Sequence, residues 1–197
     1  MKILIATANR GKLTEIRAIL GDLDGQIVGL DEIDAPPPVA ETGLTFLENA
    51  RLKARYYAAH SGLISIADDS GLCVTALGDR PGVFSARFAG PDAADAENNE
   101  LLLAQMRDVA DRRARFVCVT VCAKPSGEYI AEEGSCDGVL LDEPRGFDGF
   151  GYDPLFFVPE YNLTFAEMPR ELKNRISHRA RSLVQLKRKL PDFLAAK

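Results

Sequence analysis

Histidine is nearly absent from this chain: His60 and His178 are the two among 197 residues. A zinc site built on several imidazoles is therefore close to excluded. Cysteine is also scarce. Cys73, Cys118, Cys122 and Cys136 are the four, with no C-x-x-C pair. Each lies in an apolar or strand-like stretch, which reads as a buried, reduced thiol. Positive charge is not in excess: 24 Lys and Arg stand against 29 Asp and Glu, a net charge of −5. A general nucleic-acid coat needs a basic face to neutralise phosphates, so no nucleic-acid partner is expected. No apolar run approaches the ~20 residues of a membrane span. The stretch Met1-Lys2-Ile3-Leu4-Ile5-Ala6 meets Asn9 and Arg10 too soon for the apolar part of a signal peptide. There is no internal repeat, low-complexity tract or linker, no G-x-x-x-x-G-K-[ST] phosphate loop and no G-x-S-x-G nucleophile elbow. These absences point to a cytoplasmic globular protein without a membrane partner. Its length suits one domain, or two closely joined lobes, with a real core.

What is present is an alternation of short apolar strands and amphipathic helices. Lys2–Ala6 reads as a buried strand, and Leu13, Ile16, Ile19 and Leu20 recur at helical spacing before a stop at Gly21. Gln26–Leu30 reads as a second strand. Thr45 with Glu48 forms a capping box for a helix to about His60, with Phe46, Ala50, Ala54 and Tyr57 on one face. Leu63–Ala67 is expected as a strand ending in an acidic turn, and Leu72–Leu77 as a further extended segment. A helix is expected over Ala93–Ala110. A hairpin is expected over Arg115–Lys124 and Glu128–Leu141, around Pro125-Ser126-Gly127. A short strand at Leu155–Val158 follows, then a helix starting near Met168-Pro169. The last helix is capped by Ser177 and carries Leu183, Leu186 and Leu190.

The most informative run is Ala67-Asp68-Asp69-Ser70-Gly71-Leu72. Adjacent carboxylates repel, so the pair needs a reason: a divalent metal, a role in proton transfer, or a solvated turn bonded to its own backbone. Four other segments carry candidate chemistry. Thr7, Asn9 and Lys12 open a helix after a strand, where free N–H groups and the positive dipole end suit phosphate, or where a solvated connection would serve equally. Glu41-Thr42-Gly43 precedes a helix and offers a carboxylate, to the helix dipole or to a metal. Gly146 to Pro154 combines three glycines with Phe147, Phe150 and Tyr152, so that backbone can approach a ligand and a ring can stack on a base. Ser177-His178-Arg179, with Lys173 upstream, offers donors to carbonyl or phosphate oxygens, or a capped helix with a basic patch.

Taken together these segments resemble the inosine triphosphate pyrophosphatase family, hydrolases of deaminated purine nucleoside triphosphates. The matching stretches are Thr7–Lys12, Glu41–Ala50, Ala67–Leu72, Pro81–Arg87, Phe147–Pro154 and Ser177–Arg179. They occur in family order over nearly the whole chain. Ala8 stands where the family's first loop often has glycine. The resemblance implies an α/β fold: a long mixed β-sheet with flanking helices, in two lobes around a nucleotide-binding cleft, usually as a homodimer, with residues 1–197 as a single such domain. It implies hydrolysis of ITP, dITP and XTP to the monophosphate and pyrophosphate. It implies Mg²⁺ on Glu41 and Asp69, with Asp69 also the general base. Asp68 is expected to point to the opposite face of an extended strand. Substrate contacts are implied at Thr7, Ala8, Asn9, Arg10, Gly11, Lys12, Ser70, Phe150, Gly151, Tyr152, Asp153, Lys173, His178 and Arg179. A nucleotide sensor without turnover, and a Maf-like pyrophosphatase acting on other nucleotides, stand as alternatives.

Overall fold

The computed structural model describes every residue except 22, 24, 196 and 197. Among the described residues the chain runs β1 (Lys2–Ile5), α1 (Arg10–Leu20), β2 (Gln26–Gly29), α2 (Phe46–Ser61), β3 (Ile64–Val74), β4 (Arg80–Pro81), α3 (Asp95–Gln105), β5 (Arg113–Ala123), β6 (Tyr129–Leu140), β7 (Phe156–Val158), β8 (Leu163–Thr164), α4 (Arg170–Ile176) and α5 (His178–Ala195). Hydrogen bonding orders the strands β2-β1-β3-β5-β6-β7-β8, with β4 beside β3. β1 is parallel to β2 and β3, while β6–β7 and β7–β8 are antiparallel. The result is a mixed sheet with helices, as the sequence pattern implies.

The chain divides into two compact units. The first comprises Met1–Asp69, Cys118–Gly134 and His178–Lys197. Its central strands β1 and β3 are buried on both faces, and their side chains alternate between two cores. Ile3 and Ile5 of β1 and Ile66 of β3 pack with Ile16 and Leu20 of α1 and with Leu183, Leu186 and Leu190 of α5. Leu4 of β1 and Ala67 of β3 pack instead with Ala50, Ala54, Tyr57 and Ala58 of α2. Local signals set the helix ends. The Asn9 side chain caps α1 by accepting from the Lys12 amide, and Thr45 with Glu48 forms the capping box of α2. The second unit comprises Ser70–Val117 and Ser135–Ser177. Its core gathers Leu72, Leu102, Met106, Tyr152 and Leu155 around Phe116, Phe156 and Phe165. The Phe116 and Phe156 rings meet edge-on at 4.7 Å, and Phe116 stacks on Phe165 at 5.6 Å.

The structure corrects two of the sequence expectations. The acidic pair is not a turn: β3 runs unbroken from Ile64 to Val74, absorbing the strand expected at Leu72, and Asp68 and Asp69 lie within it at 2% and 6% exposure. The helix expected to reach Ala110 ends at Gln105, and Asp108 adopts φ 61° in the turns that follow.

Candidate active site

A β-strand sends successive side chains to opposite faces, so neighbouring aspartates within β3 acquire different surroundings. Asp68 continues the row of Ile66 and meets α1 and α5. Its Oδ2 lies 3.1 Å from Lys12 Nζ and accepts from Arg179 Nε at 3.2 Å and Nη2 at 3.0 Å. The Cys118 thiol reaches the same oxygen at 3.7 Å. Arg179, 1% exposed, also donates through Nη1 to Glu15 Oε2 at 2.5 Å. Burial alone would raise the Asp68 pKa. The charges of Lys12, Arg179 and Lys53 outweigh it and hold this carboxyl far below the usual range. Asp68 is therefore a permanent anion at the centre of a cationic cluster.

Asp69 continues the row of Ala67 and meets α2. Asn49 Nδ2 donates to Asp69 Oδ2 at 3.2 Å, and Lys53 Nζ lies 3.4 Å from Oδ1. The same ammonium donates to Glu41 Oε1 at 2.7 Å. Asn49 also accepts through Oδ1 from the Gly43 amide at 2.7 Å, which ties the Glu41-Thr42-Gly43 loop to the Asp69 side of the strand. Gly43 is required by this approach, because a Cβ there would stand 2.6 Å from Asn49 Oδ1. Burial, assisted by the Glu41 charge, raises the Asp69 pKa against the opposing pull of Lys53 and Lys12. For Lys53, burial pulls downward, but the charges of Asp69, Glu41 and Asp68 prevail and raise its pKa. Two adjacent aspartates thus have their pKa values driven apart, the condition that separates a structural anion from a proton acceptor.

The first loop lies at the start of α1. Ala8, Asn9 and Arg10 are exposed, and Thr7, Gly11 and Lys12 are half-buried. Thr7 Oγ1 accepts from the Asn9 amide at 3.2 Å, and Asn9 Oδ1 accepts from the Lys12 amide at 3.0 Å. The Arg10 and Gly11 amides belong to the first helical turn, where no helical carbonyl can receive them.

In the second unit, Asp153 Oδ2 accepts from Lys173 Nζ at 2.5 Å and from the Phe150 amide at 3.0 Å. Lys173 Nζ stands 5.0 Å from the Phe150 ring centre. Gly151 donates to Asp95 Oδ2 at 2.6 Å, so the loop is held at three points. Tyr152 is 3% exposed, donates its hydroxyl to the Ser85 carbonyl at 2.9 Å and has its pKa raised by burial. The Phe147 ring is fully exposed, and the Phe150 ring is half-buried, as is Ser70 in β3.

Comparison with known proteins decides the lineage: a family model described as the Ham1 family matches residues 3–189. The chain belongs to the Ham1 family. A dITP/XTP pyrophosphatase from Exiguobacterium sibiricum is 50% identical over 196 residues, covering 98% of this chain and 99% of that protein. One from Thermus thermophilus is 51% identical over 185 residues, 93% of this chain and 88% of that protein. The solved structure of a HAM1 protein from Coxiella burnetii superposes with a TM-score of 0.88 at 41% identity, over 98% of this chain and 99% of that one.

Within the Ham1 chain, the first unit brings together Lys12, Asp68 and Arg179 on one face of β3, and Glu41 with Asp69 on the other. The second brings together Phe150, Asp153 and Lys173. His178 and Arg179 open α5 and are 4% and 1% exposed. Sequence reasoning missed Asn49, Lys53 and Glu15. A signal for the first two existed: they stand one turn apart on α2, flanking its apolar stripe Ala50, Ala54 and Tyr57, where polar groups need a partner. Glu15 carried no such signal, since its partner is 164 positions away.

Proposed function

We propose that this protein is a nucleoside-triphosphate pyrophosphatase that hydrolyses dITP, ITP and XTP to the monophosphate and pyrophosphate. The observation that carries the site assignment is the convergence of Glu41 and Asp69, from a loop and a strand, on one point marked by the Lys53 ammonium. Two carboxylates of hard oxygen fit Mg²⁺, which takes one or two protein carboxylates and completes its shell with water and substrate phosphates. Among the described residues no cluster of three or more His, Cys, Asp or Glu side chains is placed to hold a metal. When bound, the ion supplies charge neutralisation and acidity to a coordinated water.

The protein's own groups do the rest. Asp69 accepts the proton of the water that attacks the α-phosphorus. Asn49 keeps its carboxylate oriented. A bond forms between that water oxygen and phosphorus, the α–β bridging bond breaks, and pyrophosphate leaves with its electron pair. Lys12 and the Arg10 and Gly11 amides bind phosphate at the α1 N-terminus. Asp68 holds Lys12 in place. His178 and Arg179, and separately Phe150, Gly151, Tyr152, Asp153 and Lys173, are assigned to base and phosphate recognition, with Ser70 and the Thr7–Asn9 segment. The selectivity has a chemical basis. Hypoxanthine and xanthine present an acceptor O6 where adenine presents a donor, and a buried donor left facing a donor costs roughly 1–3 kcal/mol. Among the described residues no helix is long and apolar enough to cross a membrane. We assign the protein to the cytoplasmic nucleotide pool, as a homodimer. Light scattering would read that state as twice the chain mass.

The test is pyrophosphate release from ITP, XTP, dITP, GTP, ATP and dUTP, with and without Mg²⁺. Preference for the first three is expected. A preference for dUTP would favour the Maf-like alternative, and binding without release a sensor.

A further inference from the structure

We propose that Lys53 is the resident counter-cation of the Glu41–Asp69 pair, and that a divalent ion enters by displacing its ammonium from those carboxylates. The inference rests on the assignment of Glu41 and Asp69 as metal ligands and adds what must happen to Lys53 when they are used.

The geometry is specific. Lys53 Nζ lies 2.7 Å from Glu41 Oε1 and 3.4 Å from Asp69 Oδ1. The Lys53 and Asp69 side chains are 12% and 8% exposed and that of Glu41 32%, so water screens the two acids only from the Glu41 side. Two carboxylates brought together away from water repel each other, and each carries a desolvation cost unless it is paired. The ammonium offsets both at once and so keeps the pair assembled. A divalent ion held by Glu41 and Asp69 would occupy the space between the same carboxylate oxygens. That space overlaps the volume of an ammonium bonded to both acids, and two cations cannot share it. Glu41 and Asp69 are anchored by their backbones, and Asp69 Oδ2 is held by Asn49. Lys53 is the movable member. It carries its charge on a flexible four-carbon stem, whereas an arginine's rigid fork would resist withdrawal. Lys53 is thus a positioning residue: it keeps two ligands of different origin, loop and strand, facing one point until the metal takes them.

The test uses the full-length protein without nucleotide. Mn²⁺ is titrated and free ion is read by electron paramagnetic resonance. Lys53→Met should bind Mn²⁺ about ten- to a hundredfold more tightly than the parent, the factor for one charge-assisted bond that no longer has to be broken. A gain in affinity alone would also follow from removing a nearby positive charge. The second readout is therefore the unaltered protein: limited reductive methylation, mapped by mass spectrometry, with and without Mg²⁺. Lys53 should be protected in the metal-free protein and become several-fold more reactive on loading, with exposed lysines as internal controls. Unchanged Lys53 labelling overturns the inference, and so does equal or weaker Mn²⁺ binding by a folded Lys53→Met. The labelling arm stands even if that variant does not fold. Glu41→Gln separates the two levels. If it abolishes Mn²⁺ binding while Lys53 of the unaltered protein behaves the same in both states, displacement fails and the metal ligands stand. If it binds Mn²⁺ like the parent, the metal assignment fails and the displacement with it.

Discussion

Asn substitutions at positions 68 and 69 should have opposite consequences, although the two aspartates are adjacent. Asp68→Asn removes the carboxylate shared by Lys12 and Arg179 while preserving side-chain volume. Breaking a buried ion pair by deleting one partner costs about 3–5 kcal/mol. Arg179 keeps Glu15 at 2.5 Å, so the lower end applies, about 3 kcal/mol. For a chain of this length that corresponds to a drop of roughly 6–12 °C in melting temperature. Asp69→Asn removes a carboxylate whose ionised form burial disfavours, and Lys53 retains Glu41 at 2.7 Å. Its stability should stay within about 1 kcal/mol of the parent, while turnover falls at least about a hundredfold, as expected for loss of a general base. The pH dependence carries a sign. The Asp68 pKa is depressed by folding, so its contribution is complete above the unfolded value of about 3.9 and fades as pH falls toward the folded value. The gap between parent and Asp68→Asn should therefore be constant from about pH 5 upward and close below about pH 4. Urea and thermal denaturation of both variants across pH, with ITP turnover at about pH 8, would check all of this. Asp68→Asn as stable as the parent at neutral pH, or Asp69→Asn as damaged as Asp68→Asn, would refute the division of labour.

Activity should require a divalent ion and rise into alkaline pH, because the attacking water must lose a proton; full turnover after exhaustive EDTA treatment would sink the metal assignment. Cys118 and Cys122, buried and with thiol pKa values pushed up to about 12, should react with a disulfide reagent at about pH 8 only after denaturant is added. Gly134→Ala should destabilise by about 1–3 kcal/mol, since its Cβ would fall 2.3 Å from the His178 carbonyl and 2.4 Å from the Ser182 amide; a melting temperature equal to the parent's would contradict the close packing of β6 against α5. Arg179→Ala and His178→Ala should weaken ITP and XTP hydrolysis more than ATP hydrolysis if these residues read the base, and a uniform loss across all triphosphates would reassign them to phosphate. Arg179→Ala should also lower the melting temperature, because it takes one cationic partner from both Asp68 and Glu15.

Much of this protein was legible in the order of its residues, because much of it is governed by local rules. Thr45–Glu48 caps the helix it was expected to cap, since a cap involves groups two to four positions apart; the Asn9 cap of α1 obeys the same rule but was expected as a phosphate contact. β1 and the apolar stripes of α1 and α2 followed from periodicity alone. The six motifs in order identified the chemistry. The same local reasoning failed at the acidic pair. Two adjacent carboxylates are poor strand residues by composition, so a turn was the natural expectation. Nothing in the neighbouring sequence of Asp68 announces Lys12, 56 residues earlier, or Arg179, 111 residues later. The charges that make burial tolerable arrive from helices elsewhere in the chain, and so do Asn49 and Lys53 on the other side. Sequence therefore specified the adjacent carboxylates and the alternation that sends them to opposite faces. Packing of α1 and α5 on one face of β3, and of α2 on the other, decided which became a permanent anion and which a candidate base. Both sit in the same strand, and a pKa depends on the charges within a few ångströms rather than on neighbours along the chain.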